Sequence, residues 1–149
     1  MKILYNSDLH DRKNLDLKWS KIVENDEIRL IKVKELLKDS SFFSALDYSR
    51  AALILQHGKK SSNYKLANDM MSKAIELDPN TDRWLYFATK DRYLLSIRKP
   101  QIFGTQYRSS ESGFVQVSID TTSYADSIRN SYPELSRAIK DQRVRLGIK

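Results

Sequence analysis

Helix-breaking residues recur along the first two thirds of the chain at intervals of about one helix. That punctuation limits what the chain can build. Asp39-Ser40-Ser41, Gly58, Asp78-Pro79 and Lys99-Pro100 cut it into short pieces. Proline lacks a backbone donor and drives the residue before it out of the helical region, and glycine is favoured just past helix ends. Between the cuts, apolar residues return every three or four positions, the pattern of helices that bury one face. The spacing predicts a helix over 25–38, with Ile28, Leu30, Ile31, Val33, Leu36 and Leu37 as its apolar stripe. It predicts a third helix over 42–57, ending with Gly58 in the left-handed conformation, a fourth over 62–77 and a fifth over 82–98. Residues 6–20 read as a polar helix or an extended arm.

After Pro100 the pattern changes. Gln101 to Tyr107 is β-prone, and Val115, Val117 and Ile119 alternate with Gln116 and Ser118, as in a half-buried strand. Ser109-Ser110-Glu111-Ser112-Gly113 between them is turn chemistry. A short helix over 122–130 follows, and Ser131-Tyr132-Pro133-Glu134 fits a capping box opening a last helix to about 145. The expected fold is mainly α (α+β): a single domain over residues 1–149, a bundle of about six to seven helices with one β-hairpin near residues 101–119.

Composition excludes several function classes. With no cysteine there is no disulfide, thiolate zinc site or cysteine nucleophile. Only two histidines occur, so no metal site is expected, and no glycine-rich phosphate loop or other cofactor motif is present. The longest purely apolar runs are five residues, far short of the ~20 that a spanning helix needs. Met1 to Tyr5 runs straight into Asn6, Ser7 and Asp8, so no signal peptide is expected and the cytoplasm is the expected compartment. The charge is +7, from 26 Lys and Arg against 19 Asp and Glu. The excess is spread along the chain, and its only concentration is the tail with Arg137, Lys140, Arg143, Arg145 and Lys149. This argues against a nucleic-acid partner in general and leaves the basic last helix as the one candidate surface for one.

The informative feature is where polar residues fall on apolar faces. Phe43, Leu46, Arg50, Ile54 and His57 share one face of the third helix, with Arg50 and His57 about 10.5 Å apart along it. On the fifth helix Trp84, Phe87, Asp91 and Leu94 share a face, so Asp91 lies inside an aromatic stripe, with Arg92 beside it. A charge on an inward face needs a partner or a water-filled cleft. If the third and fifth helices pack together, Arg50 and His57 are the candidate partners of Asp91.

Gln56-His57, Asp91-Arg92 and Pro100-Gln101-Ile102-Phe103-Gly104-Thr105-Gln106 together resemble the signature of an uncharacterised family of small bacterial helical proteins, a numbered domain of unknown function. Asp8-x-x-Asp11-Arg12 and Asp126-Ser127-Ile128-Arg129 resemble further elements of it, and the resemblance spans roughly residues 6–137. Where that family has a Gly-Trp-Pro element before the Gln-His helix, this chain reads Lys38 to Phe43. The resemblance implies that His57, Asp91, Arg92 and Gln106 belong together. Gly104 would permit close backbone approach, Gln56, Gln101 and Gln106 would offer amides, Thr105 a hydroxyl, and Arg12 and Arg92 would meet an anion.

The reading that follows is a small-molecule-binding protein or enzyme. Its pocket for an anionic or strongly polar ligand would use His57 as general acid/base oriented by Asp91, with Arg12, Arg50, Gln56, Arg92, Gln101, Gly104, Thr105 and Gln106 as binding residues. Two alternatives stand beside it: a bacterial protein-interaction module of the immunity or escort type with a structural polar network, and nucleic-acid binding through the basic C-terminal helix.

Overall fold

The computed structural model describes every residue except Ser40, Phe42, Ser112 and Lys149. The predicted breaker at Ser40, the predicted start of the third helix at Phe42 and the turn position Ser112 therefore lie outside the described residues. The chain is mainly α with one hairpin. Its helices are α1 (Lys2–Lys13), α2 (Trp19–Leu36), α3 (Ala45–Leu55), α4 (Ser61–Leu77), α5 (Trp84–Ser96), α6 (Ser123–Asn130) and α7 (Leu135–Arg145), and a short 3-10 turn, Leu37–Asp39, follows α2. None is long and apolar enough to cross a membrane.

Of the polar helix or extended arm expected over 6–20, residues 6–13 are helical as the second half of α1, and a short turn then leads into the start of α2. The predicted stripe on α2 is also displaced. Ile22, Arg29 and Val33 are buried, whereas Ile28, Ile31 and Leu36 are exposed. Helix α2 turns its mixed face inward because Arg29 finds acids on α1. The capping box forms at Ser44 and Asp47, which cap α3; α7 starts from Glu134 with no side-chain cap. Arg98 (φ 60°), not Gly58, takes a left-handed cap position. The Arg98 and Lys99 amides donate to the Leu95 and Leu94 carbonyls, closing α5 as a Schellman motif.

Gly58 is needed for space. A Cβ there would stand 2.2 Å from Nδ2 and 2.7 Å from Cβ of Asn63. Two apolar clusters result. The larger joins Val33, Tyr48, Ala51, Ala52, Ile54, Leu55, Ala67, Met70, Met71 and Ala74 across α2, α3 and α4. The smaller is aromatic, with Phe87 and Phe103 at 4.7 Å and Phe87 and Tyr132 at 5.0 Å between ring centroids. It ties α5 to the segment that follows it and to the α6–α7 connection.

Strands β1 (Tyr107–Ser110) and β2 (Gly113–Gln116) pair antiparallel, with Tyr107 opposite Gln116 and Ser110 opposite Gly113. The hairpin is shorter than the predicted span, and β2 is exposed throughout. Val115 therefore does not face inward, while Val117 and Ile119 beyond the strand are partly buried. Outside the hairpin, Gln101 bridges to Ile119.

Candidate functional site

A cavity of about 750 Å³ lies where α1, α2, the α3–α4 turn and α5 meet. Four of the sequence-predicted residues line it: Arg12, Gln56, His57 and Arg92. Helix α2 adds Trp19, Val23, Leu30 and Ile31 to the wall, and the turn into α4 adds Lys59, Lys60, Asn63 and Tyr64.

His57 follows the last residues of α3, where the chain turns at Gly58. Its Nε2 stands 3.6 Å from Asp8 Oδ2, an ion-pair distance when the imidazole is protonated. Asp8 is fully buried on α1. Burial pushes its carboxyl up, but His57, then Arg12 and Arg29, outweigh this and hold it below the ordinary carboxylate range. Arg12 Nη2 reaches Asp26 at 2.8 Å, and its Nε donates to Asp8. Arg29 bridges Asp11 and Asp26 at 2.6 Å each. Burial works against the Asp11 carboxyl too, and Arg29 and Asn25 pull it below the usual range. An acid–arginine lattice between α1 and α2 thus forms the floor behind His57. Arg29 is the residue that motif reasoning missed. Its signal was position: Ile22, Arg29 and Val33 fall seven and four residues apart on one helical face.

Arg92 is the cavity's other guanidinium. Its Nε donates to Gln106 Oε1 at 3.1 Å and its Nη1 to the Gln56 carbonyl at 3.3 Å. Both partners are neutral, and among the described residues no carboxylate lies within ion-pair distance of it. Burial pushes its pKa down; Tyr64 opposes this and Arg12 adds to it.

The expected pairing of Asp91 with His57 or Arg50 is replaced by another arrangement. Asp91 is fully buried, as its place in the aromatic stripe implies, and its oxygens face the chain after Pro100. Oδ1 accepts from the Ile102 and Phe103 amides at 2.9 Å; Oδ2 accepts from the Thr105 amide at 2.9 Å and its hydroxyl at 2.8 Å. Burial raises this carboxyl despite those four donors. Gln101, also buried, completes the loop. Its Nε2 donates to the Gln106 and Val117 carbonyls and its Oε1 accepts the Gln106 amide. Gly104 (φ 80°) brings its carbonyl to the side-chain Nε2 of Gln116, which donates to it at 3.0 Å. Arg129 Nη1 closes the outside on the Ile102 and Asp120 carbonyls, and its Nη2 pairs with Asp126. Asp91, Gln101, Gly104 and Thr105 therefore build a latch that places Gln106 behind Arg92.

The expected single pocket is thus divided. Arg50 lines a separate cavity of about 450 Å³, with its guanidinium 5.5 Å from the centre of the Tyr5 ring. Thr105 and Gln106 line a third, of about 470 Å³, whose wall includes Gln56 and Arg92 as well. Comparison with family models, curated proteins and solved structures finds no match, so the family resemblance rests on the quoted residues alone.

Proposed function

We propose that this protein binds a small anionic molecule in the 750 Å³ cavity, with His57 as the group that gives or takes a proton there. The observation that carries this reading is Arg92: a guanidinium among neutral partners, in a cavity also lined by Arg12, His57, Lys59 and Lys60. Arg12 and Lys59 are neutralised by Asp26 and Glu27, at 2.8 and 3.0 Å. Arg92 and Lys60 are left for a ligand. A planar guanidinium held at two points keeps its remaining donors aimed, which suits a carboxylate or phosphate. Asp8 takes the role that sequence reasoning gave to Asp91. It faces one ring nitrogen, Nε2, at 3.6 Å and leaves the other for chemistry.

Calorimetric titration with inorganic phosphate tests this reading. Binding by the parent protein, lost in Arg92→Ala and kept in Arg50→Ala, supports it. Equal binding by all three, or none by the parent, contradicts it.

A further inference from the structure

The cavity is larger than an anion requires, and its remaining wall is chemically different. A volume near 750 Å³ suits a whole drug-sized molecule. The α2 side presents Trp19, Val23 and Leu30, four and seven residues apart on one helical face, and Ile31, about 100° further round the helix, also lines the cavity. Trp19 is 69% exposed and Ile31 65% exposed. An indole and a butyl side chain left open to water beside a cavity are apolar surface that an occupant would cover. Tyr64, from α4, adds a second aromatic side chain to the lining. The two acids of α2 that line the cavity are already occupied: Asp26 by Arg12 and Arg29, and Glu27 by Lys59. The α2 side is therefore electrically quiet and apolar. The unneutralised cations, Arg92 and Lys60, come from α5 and the α3–α4 turn.

We propose that the ligand is an aromatic phosphate monoester, its dianionic phosphate held by Arg92 and Lys60 near His57 and its ring covering Trp19 and Ile31. This rests on the anion-site reading above and adds the body of the ligand to it. Two positive charges with no acid partner among the described residues match the two negative charges of a monoester better than the single charge of a carboxylate. A flat ring covers an indole over its whole face, whereas an alkyl chain covers it along an edge.

The test uses the full chain with Trp84→Phe, so that Trp19 is the tryptophan that reports. Trp84 lines the third cavity, which shares Gln56 and Arg92 with the ligand cavity but not Trp19. Inorganic phosphate, phenyl phosphate and hexyl phosphate are titrated, followed by calorimetry and by tryptophan fluorescence. Phenyl phosphate is expected to bind about tenfold more tightly than inorganic phosphate and to change the Trp19 emission. Trp19→Ala is expected to remove that gain while leaving phosphate binding in place. Lys60→Gln, at an exposed position, is expected to weaken both ligands. Phenyl phosphate binding no more tightly than inorganic phosphate overturns the proposed body and leaves the anion site standing. Hexyl phosphate binding more tightly than phenyl phosphate overturns the ring. Failure of inorganic phosphate to bind at all overturns the anion site and this inference with it.

Discussion

His57 Nε2 stands 3.6 Å from Oδ2 of Asp8, so the end of α3 is tied to α1 through one imidazole and one fully buried acid. Three cationic or protonatable groups, His57, Arg12 and Arg29, converge on that single carboxylate. The arrangement makes acid stability a readout of the site.

The Asp8 and Asp11 carboxyls are both held below their ordinary range in the folded chain. A depressed carboxyl stabilises the fold fully above its unfolded pKa, about 3.9, and that stability is lost as pH falls through the lower folded value. Replacing His57 by Ala leaves the burial of Asp8 but removes its strongest opposing influence. The Asp8 pKa rises, and the acid-unfolding midpoint followed by circular dichroism is expected to move to higher pH. An unchanged midpoint would show that Asp8 does not respond to His57.

Asp91 is expected to be the most costly single side chain to remove. Asp91→Ala leaves the Ile102, Phe103 and Thr105 amides without their acceptor in a buried setting, at ~1–3 kcal/mol each. The total is a large share of the 5–15 kcal/mol typical of a domain. Asp91→Asn keeps one acceptor oxygen and is expected to lose less. Urea denaturation orders the two. Because burial raises the Asp91 pKa, its contribution has the opposite sign to that of Asp8: it weakens the fold as pH rises from the unfolded value through the folded one.

Arg98 is held in the left-handed region at φ 60°. A side chain there costs roughly 1–2 kcal/mol, partly offset by the greater freedom of glycine in the unfolded chain. Arg98→Gly is expected to raise stability by about 1 kcal/mol, read as a higher urea midpoint with an unchanged slope. Gly58→Ala is expected to act in the other direction. Its Cβ would displace Asn63, which accepts from Lys34 Nζ at 2.7 Å. A loss of ~1–3 kcal/mol is expected, as for overpacking elsewhere.

Tyr86 packs against Tyr132 and Phe103. Burial, then Tyr132, pushes its phenol up to about 12. In the unfolded chain it would ionise near 10, so its contribution to stability is complete below about pH 10 and lost towards 12. Tyrosinate absorbance is expected to show one late-titrating group, absent in Tyr86→Phe.

Helices α3, α4 and α5 could be read from breakers and periodicity because each is amphipathic and each break has a local cause; the division between α1 and α2 has no such marker. The α2 face could not be read in this way. Six apolar residues outvoted Arg29, whose burial depends on Asp8, Asp11 and Asp26, acids that lie on a neighbouring helix or across one turn. The same holds for the site. That Asp91 is buried follows from its place among Trp84, Phe87 and Leu94. Its partner does not, because a carboxylate can be satisfied by backbone amides that no side-chain pattern records. Asp8 was visible only within the Asp8-x-x-Asp11-Arg12 element, and nothing in its own helix marks it as the group facing His57.

The central claim is that Arg92 is the anion-binding guanidinium and Arg50 is not. Arginine Nε–Hε resonances, followed by NMR during titration with inorganic phosphate, separate the two directly, since they line different cavities. The expected result is a saturable shift of Arg92 with Arg50 unmoved. An Arg92 resonance that stays in place while phosphate is added, or one that moves no more than Arg50, would contradict the assignment of the site.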